Sequence, residues 1–371
     1  MKYSTLLFHS QDTIIKYNPK YKDQWSFDAL STFVKVSAPL FKPANHYVCL
    51  CFQGIPLLQS GHSTAITLSQ TQIACLLANA FFCTFPHRND TSSNAEYRNY
   101  PTINFTSLFG NWTERKKEKL RAIMHYFKVV TDENTKLNGL VTFERRCLGA
   151  MDVQNWKWCK KTMPKLYVSS HGTIEDEGTG MLQVDFASRW IGGGVLGSGL
   201  VQEEILFLIN PELIVSRLFT EKLDDNECLI ITGNNNRIHD YKLERDEWAR
   251  KQRQILAIDA LHFKHRREQY NMRSVTRELN KVRRNHEPDI ATGKWGCGAF
   301  NGDPQLKAVI QLMAAAKATR GLAFFTFKDE KLKRDLERVY HLLVTEGTTV
   351  GEGFQHRTQF KLSKFNLISV C

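Results

Sequence analysis

The 371-residue sequence lacks a long hydrophobic run, and this absence limits the classes of protein it can encode. Its longest apolar stretch, IACLLANAFFCTF at 73–85, is too short to cross a bilayer and predicts a buried helix. The opening MKYSTLLFHSQ also has too short an apolar run for a secretion signal. We therefore expect neither a membrane-spanning nor a secreted protein.

Paired cysteines are scarce as well. The chain has nine cysteines, and only Cys49 and Cys51 form a C-x-C, with no second pair at zinc spacing. A structural zinc site needs about four such ligands, so we expect no metal. Scattered thiols in an odd number fit a reducing compartment, the nucleus or the cytoplasm.

Common phosphate-binding motifs are missing too. No Gly-Lys-Ser/Thr ends a glycine loop, which excludes a P-loop. The spacing of Gly194, Gly197 and Gly199 differs from the dinucleotide-binding fingerprint G-x-G-x-x-G. We also find no internal repeat and no low-complexity tract.

Positive charge is abundant by contrast. The net charge is +12, and hydrophobic residues make up 42% of the chain, enough for a sizeable core. The charge favours a polyanionic partner or serves general solubility, and charge alone leaves both open. Basic clusters at 115–119, 264–268 and 281–284 are interpreted as solvated helix faces, with polyanion attraction or nuclear import as the alternative.

The pattern of apolar residues changes along the chain. Helical periodicity dominates the first third, at 66–85 with Ser69 as N-cap and at 113–130. From about Leu140, short β-rich runs alternate with helical patterns, which predicts an α/β domain with helices on both sheet faces. We place a mainly helical accessory region at 1–135 and the α/β domain at 136–371.

One glycine-rich segment, IGGGVLGSGLVQEE at 191–204, carries the chemistry. Glycines let a backbone approach a ligand closely and direct N–H groups at an anion. Asp185 precedes the loop, and Glu203 and Glu204 follow it. Pairs of carboxylates flanking a sugar cleave glycosidic bonds. Adjacent helical residues diverge by about 100°, so the two glutamates have different tasks. The alternative is two exposed glutamates at a helix N-terminus.

This segment, with VDFASRWI before it, resembles the signature of the poly(ADP-ribose) glycohydrolases, a triple glycine followed by Gln-Glu-Glu. Further segments are similar to the family in the same order over about 55–350, among them NECLIITG and ATGKWGCGAFNGD. The resemblance implies a catalytic domain with a macrodomain-like α/β/α sandwich and a mixed central sheet. This domain follows the helical accessory region in the chain. It also implies hydrolysis of the ribose–ribose O-glycosidic bonds of poly(ADP-ribose), releasing ADP-ribose, without metal or cofactor.

The resemblance assigns roles to particular residues. Glu204 matches the general acid/base, Glu203 the glutamate that holds the sugar hydroxyls, and Asp185 the supporting aspartate. The remaining matches are substrate contacts: Ile174 and Glu175 at the adenine; Ser188, Gly192, Gly193, Gly194 and Gln202 around the first loop; Lys294, Trp295, Gly296, Cys297, Gly298 and Ala299 in a second diphosphate loop; Phe300 and Phe327 at the terminal ribose; and Tyr241 over the adenine.

Departures from the family pattern occur at four places, one of which is the segment after Gly351, which does not follow the family helix. Ser188 and Lys294 stand where the family has asparagine, and the segment that carries Tyr241 is shorter than the family's tyrosine loop. Lys294 could add affinity for phosphate.

Two other functions remain open from the sequence. A macrodomain that reads ADP-ribose without cleaving it needs the loop but not the acids, and a nicotinamide-dependent dehydrogenase needs the dinucleotide fingerprint. We expect the partner to be poly(ADP-ribose) on modified proteins. We expect no direct reading of nucleic acid, no membrane contact, and a monomer in the nucleus or cytoplasm.

Overall fold

A computed structural model describes residues 10–37, 54–90, 92–132, 134–135, 137–149, 156–234, 246–247, 250–282 and 288–355. Within these ranges the helices are α1 (Ser10–Tyr17), α2 (Asp28–Ser37), α3 (Gln70–Phe81), α4 (Thr106–Phe109), α5 (Glu114–Val130), α6 (Ile174–Glu177), α7 (Gln202–Ile209), α8 (Ser216–Phe219), α9 (Met272–Val282), α10 (Pro304–Ala318), α11 (Glu330–Thr345) and α12 (Val350–Gln355). The strands are β1 (Thr64–Ser69), β2 (Leu140–Cys147), β3 (Leu166–Ser169), β4 (Leu182–Ala187), β5 (Glu227–Thr232), β6 (Gln254–Asp259), β7 (Ile290–Gly293) and β8 (Leu322–Phe325).

The chain forms two compact units, neither of which is continuous in sequence. The first contains residues 1–144, 187–222 and 231–252, and the second contains residues 145–186, 223–230 and 253–371. The segment with the triple glycine and the two glutamates therefore belongs to the same unit as the N-terminal helices. The predicted boundary at residue 135 treats the chain as two consecutive blocks, and it stays a prediction.

Helix caps in the first unit are readable from the sequence. Ser69 Oγ accepts from Gln72 N at 3.1 Å, and Gln72 Oε1 accepts from Ser69 N at 2.8 Å, so α3 begins with a full capping box. The predicted N-cap is confirmed. The prediction missed the strand β1, which ends at Ser69 and makes the first third less purely helical. Thr113 caps α5 in the same manner, accepting from Lys116 N at 3.2 Å.

The apolar faces of these helices meet in an aromatic core. The Phe81 ring lies 5.2 Å from the Phe109 ring and 6.1 Å from the Phe127 ring, both in edge-to-face geometry. Phe105 and Phe109 are fully buried. Edge-to-face pairs add to the stabilisation that burial itself provides, so this cluster fixes α3, α4 and α5 against one another.

The sequence EEILFLINPELIVSRLF at 203–219 has a helical pattern, which predicts one continuous helix, and this prediction is wrong. Helix α7 stops at Ile209, a 3₁₀ helix spans Pro211–Val215, and α8 follows. Proline has no N–H for the helical ladder, and its ring disfavours helical geometry at the preceding residue. Asn210 accordingly has φ −129° and ψ 73°.

In the second unit the strands follow the order β5-β6-β4-β7-β8-β3. The pairs β4–β7, β7–β8 and β8–β3 are parallel, with Leu182 opposite Ile290, Ile290 opposite Leu322, and Leu322 opposite Leu166. The four residues of β7 are fully buried, which suits a central parallel strand. Strand β7 was not predicted, because its four residues, IATG, are too few to show a period. Helix α9 was not predicted either.

The described ranges contain no helix that is long and apolar enough to cross a membrane. They also contain no group of three or more His, Cys, Asp or Glu side chains that could hold a metal ion.

Candidate active site

Glu203 and Glu204 lie in the first turn of α7 and are buried, with exposed fractions of 3% and 5%. Two exposed glutamates at a helix N-terminus, the alternative interpretation, are therefore excluded. Burying a carboxylate without hydrogen-bond partners is costly, so the partners of this pair show what the segment is built to do.

Glu203 binds the start of the glycine loop. Its Oε1 accepts from Gly192 N at 2.6 Å, and its Oε2 accepts from Ser188 N at 2.8 Å. The Ser188 hydroxyl accepts in turn from Trp190 N at 3.3 Å. Glu203 thereby fixes the residues that connect the end of β4 to the triple glycine.

Glu204 binds further along. Its Oε1 accepts from Gly194 N at 2.8 Å, and its Oε2 accepts from Val201 N at 2.9 Å. Valine offers no side-chain acceptor, so α7 has only the return half of a capping box, in which the third residue of the helix satisfies the N-cap N–H. The two neighbouring glutamates thus bind different parts of one loop, as their angular separation predicts.

The glycines leave room for these carboxylates. A Cβ atom on Gly193 would lie 2.6 Å from Glu204 Oε1 and 2.7 Å from Glu203 Oε2, and one on Gly199 would lie 2.8 Å from Glu204 Oε1. Gly193 also has φ +45°, a left-handed conformation that favours glycine. The sequence interpretation linked the glycines to a ligand. The structure adds that they pack against the protein's own acids.

The backbone donors of the loop divide into two groups. Gly192 N and Gly194 N donate to the glutamates, and Gly193 N donates to Trp190 O at 3.0 Å. Across the described part of the chain, five further N–H groups of residues 191–200 donate to no acceptor: those of Ile191, Leu196, Ser198, Gly199 and Leu200. Four of these five donors follow the triple glycine and lie in the second half of the loop.

The spacing of the loop glycines needs a correction. Counted from Gly192, the segment has glycines at 192, 194 and 197, which is formally G-x-G-x-x-G. In that fingerprint the first glycines serve the turn and the approach of a pyrophosphate to the backbone. Here the N–H groups of Gly192 and Gly194 are occupied by carboxylates, so the match in spacing carries no dinucleotide-binding geometry.

Two buried cations support the loop from its carbonyl side. Lys119 on α5 is 1% exposed, and its Nζ donates to Gly194 O at 2.9 Å, Val195 O at 3.2 Å, Gly197 O at 2.9 Å and also to Gly199 O. Burial lowers the pKa of Lys119 to about 8, and the charge of Glu204 opposes this shift.

Arg217 on α8 is the second cation and is 4% exposed. Its Nη1 donates to Ile191 O at 2.7 Å and Gly193 O at 3.1 Å, while its Nε donates to Thr102 O at 2.7 Å. Burial lowers the pKa of Arg217 to about 10, opposed first by the charge of Glu203. The loop is therefore held by carboxylates on its N–H groups and by cations on its carbonyl oxygens.

Neither Lys119 nor Arg217 was predicted from the sequence as a partner of the loop. The cluster 115–119 was interpreted as a solvated face or a polyanion-binding patch, and this is wrong for Lys116 and Lys119, which are buried. A signal was present, because Lys116 and Lys119 share the helical spacing of Ile123 and Phe127, whose side chains point inward. Lys281 of the third basic cluster is likewise buried and paired with Asp259.

The other predicted site residues, apart from Gln202 and Tyr241, belong to the second unit. Asp185 lies in β4 and is fully buried, two residues before the strand ends. Ile174 begins α6, which is capped by the Thr173 hydroxyl accepting from Asp176 N at 3.1 Å. The Ile174 side chain packs in a buried cluster with Ala291 and Phe325. Glu175 is partly exposed, so its carboxylate remains accessible for a hydrogen bond.

The predicted second diphosphate loop follows β7. Trp295 is fully buried, its indole N–H donates to Ile258 O at 3.0 Å, and Lys307 Nζ lies 4.2 Å from the centre of its ring system. Trp295 can therefore reach a substrate only through its backbone. Burial raises the pKa of the Cys297 thiol to about 12, which keeps it protonated and unreactive. Gly298 and Ala299 are exposed.

Two aromatic residues were predicted to line the ribose. Phe327 is 39% exposed and has φ +51°, and Lys328 after it has φ +63°. Left-handed conformations in two consecutive non-glycine residues are costly and occur mostly where function requires them. They place the Phe327 ring against Gly293, since a Cβ there would lie 2.9 Å from its Cε2. Phe300 packs against the core, 5.5 Å from the His262 ring.

The positions of the remaining predicted residues can be stated briefly. Gln202 opens α7 and is partly exposed, and Lys294 Nζ lies 3.8 Å from Asp329 Oδ2. Tyr241 lies outside the described residues, so its predicted stacking on the adenine stays a prediction.

Comparison with known families gives two matches. Residues 29–145 match the helical domain of poly(ADP-ribose) glycohydrolase, and residues 153–334 match the poly(ADP-ribose) glycohydrolase macro domain fold. The fold is therefore that of a macrodomain with an N-terminal helical domain, and the predicted α/β fold class with its mixed sheet is confirmed.

Two related proteins from other organisms give the same assignment, and a solved structure is similar to a lesser degree. Poly(ADP-ribose) glycohydrolase 1 of Arabidopsis thaliana is 32% identical over 84% of this chain and 72% of its own length. Poly(ADP-ribose) glycohydrolase 1 of Caenorhabditis elegans is 30% identical over 78% of this chain and 40% of its own length. The crystal structure of the Thermomonospora curvata glycohydrolase, bound to the inhibitor ADP-HPD, is 17% identical over 54% of this chain and 84% of that chain, with a TM-score of 0.34. The chain belongs to the poly(ADP-ribose) glycohydrolase family.

Proposed function

We propose that this protein hydrolyses the ribose–ribose O-glycosidic bonds of poly(ADP-ribose) and releases ADP-ribose. Membership of the glycohydrolase family supports the reaction class. The observation that carries the proposal is the pair of buried carboxylates, Glu203 and Glu204, each bound to backbone N–H groups of one glycine loop. A protein that only binds ADP-ribose has no need to bury two acids beside its anion-binding loop.

In the proposed reaction Glu204 acts as general acid and then as general base. Its carboxyl proton passes to the 2′-oxygen of the leaving ribose as the bond to the anomeric carbon breaks. The resulting carboxylate takes a proton from water, which restores the acid. The water oxygen bonds to the anomeric carbon at the same time. Two hydrogen bonds to the backbone hold the Glu204 carboxyl group in one orientation during both steps.

Glu203 is proposed to orient the sugar. Its oxygens accept from Gly192 N and Ser188 N, and these two bonds fix the orientation in which the carboxylate would accept from hydroxyl donors of the ribose. Asp185 keeps the supporting role that the family signature gives it. Positive charge developing on the anomeric carbon is stabilised by nearby carboxylates, because their position is fixed before the substrate binds.

The diphosphate is proposed to bind through backbone donors. The N–H groups of Leu196, Ser198, Gly199 and Leu200, which have no acceptor in the described part of the chain, form one set. Within the second unit, the exposed backbone at Gly298 and Ala299 is proposed to bind phosphate in the same way, with Lys294 adding charge. We propose poly(ADP-ribose) on modified proteins as the substrate, a monomer as the acting form, and the nucleus or cytoplasm as its location.

Release of ADP-ribose from an automodified protein tests this function directly. Radiolabelled polymer on its protein carrier is incubated with the purified chain, and free ADP-ribose is measured. The proposal expects release of every ADP-ribose unit held by a ribose–ribose bond at catalytic enzyme concentration, while the unit joined to the carrier protein is retained. Tight binding of the polymer with no release would instead establish the reader, the second function left open by the sequence.

A further inference from the structure

The strongest unassigned feature of the first unit is the bonding of Lys119. Its single ammonium group binds carbonyl oxygens from four residues of the catalytic loop, between Gly194 and Gly199. An ammonium has three N–H donors, so all of its capacity is directed at this loop. Four carbonyl dipoles converge on one point only when a charge at that point compensates their repulsion.

The same loop residues connect Lys119 to the catalytic acid. Gly194 receives Lys119 on its carbonyl oxygen, and its N–H donates to Glu204 Oε1 at 2.8 Å. Gly199 also receives Lys119, and its Cα lies where a side chain would collide with the same Glu204 oxygen. A shift of either residue therefore changes the position of Glu204.

We propose that Lys119 is a positioning residue for Glu204: its charge holds the glycine loop in the geometry that orients the general acid. The proposal rests on the proposed function for its kinetic consequence, but the geometry of the loop can be measured without turnover. It assigns a role in the reaction to the N-terminal helical segment, which carries Lys119 on α5.

The protonation of Lys119 gives this role a pH dependence. The charged groups that act on Lys119 are Glu204 on α7, Arg217 on α8, and Lys116 and Arg115 on its own helix. Burial lowers its pKa to about 8. Below that pH the ammonium holds the carbonyl oxygens. Above it a neutral amine offers one donor fewer and directs a lone pair at them, so loop order and turnover decrease.

A matched control lies one turn earlier on α5. Lys116 is also buried and also binds carbonyl oxygens, donating to Ser107 O at 2.7 Å and to Gly110 O. These acceptors belong to α4 and its end, not to the glycine loop. Lys116→Met removes a buried lysine of the same helix without touching the loop, and so separates general damage to α5 from a specific effect on Glu204.

The test compares Lys119→Met, Lys119→Arg, Lys116→Met and the parent chain. Hydrogen exchange of the peptide that covers 191–201 is measured first, followed by single-turnover hydrolysis and the affinity for ADP-ribose. We expect faster exchange in Lys119→Met only, and a rate of hydrolysis lower by about 10²-fold, the typical cost of a misplaced catalytic group. In a folded variant the affinity for ADP-ribose should decrease less than the rate of hydrolysis, because the diphosphate donors at 196–200 lie in the loosened loop but are not removed.

Lys119→Arg covers the case in which Lys119→Met does not fold. Guanidinium remains protonated at alkaline pH, so this variant should lose the decline in rate that the parent shows as the pH passes about 8. Equal exchange in the 191–201 peptide of Lys119→Met and Lys116→Met would overturn the proposal. An alkaline decline unchanged by Lys119→Arg would overturn it as well. If the parent does not cleave polymer, the proposed function fails, and the exchange result still decides whether Lys119 positions the loop.

Discussion

Gly194 donates its N–H to Glu204 Oε1 at 2.8 Å, and a Cβ at Gly194 would lie 2.9 Å from the backbone of Gly199. One glycine thus binds the carboxylate proposed as the general acid and also lets the two halves of its loop approach each other. The loop and the acid form a single unit, which explains why a glycine-rich turn stands next to two glutamates. Changes to the loop are therefore expected to act on catalysis through Glu204.

Alanine substitutions within the loop test this coupling. Gly193→Ala places a methyl group within 2.7 Å of both carboxylates at φ +45°, so we expect the rate of hydrolysis to decrease by about 10²-fold. Gly197→Ala is the matched control, because its nearest non-local atom is Gly194 O at 3.7 Å, an ordinary contact. The measurement is initial release of ADP-ribose by each purified variant.

The two variants must differ for the interpretation to stand. We expect Gly197→Ala to retain activity within about twofold and stability within about 0.5 kcal/mol, as for a substitution without steric conflict. Similar losses in both variants would mean that the loop needs flexibility at every glycine, and not space beside Glu203 and Glu204.

Salt tests the contribution of the net charge of +12 to substrate binding. Long poly(ADP-ribose) carries many phosphates, so we expect it to bind more tightly than monomeric ADP-ribose at low salt and to lose that advantage as salt increases. Fluorescence titrations with both ligands at several salt concentrations measure the difference. Affinity for long chains that is independent of salt would exclude the electrostatic contribution.

Tyr241 offers a test of the predicted adenine contact. If its ring stacks on the base, Tyr241→Ala should weaken the binding of ADP-ribose by about 1–3 kcal/mol, the usual range for stacking of a base on an aromatic side chain. Calorimetric titration measures the dissociation constant of each protein. An unchanged dissociation constant would show that Tyr241 does not correspond to the family's tyrosine.

The sequence predicted features that depend on local chemistry. Ser69 and Gln72 define a helix start in four residues, and the structure has the full capping box there. The family signature identified the segment from the triple glycine to Glu204, and the family matches confirm the fold that it implies. These predictions succeed because each rests on a short pattern with one structural solution.

The missed features depend on long-range contacts. Lys119 and the loop it binds are 75 to 80 residues apart, and Arg217 binds Gly193 across 24 residues. Two lysines on an inward helix face look like surface charge until their acceptors are known. The strand β7 has four residues, too few for periodicity, and is recognisable only from its parallel neighbours β4 and β8.

Replacement of Glu204 by glutamine has a structural cost in addition to a catalytic one. Both oxygens of Glu204 accept backbone N–H groups, so a glutamine must direct its amide NH₂ at a donor in either orientation. We expect the free energy of unfolding to decrease by about 1–3 kcal/mol, the cost of one unsatisfied buried donor. Thermal unfolding of Glu204→Gln and the parent measures this loss of stability. Kinetic comparisons must be made on samples of both proteins that are fully folded.

Single-turnover hydrolysis by Glu204→Gln, with calorimetric binding of ADP-ribose to the same folded sample, tests the central claim most directly. Glutamine can neither donate the proton to the leaving oxygen nor accept one from water, and a single acid/base group typically contributes about 10²–10⁴-fold. We predict a loss at or above the top of that range, with binding of ADP-ribose within a few fold of the parent. The diphosphate donors at 196–200 remain in place, so the variant should retain polymer without cleaving it. Hydrolysis by Glu204→Gln at nearly the parent rate would contradict the role of Glu204.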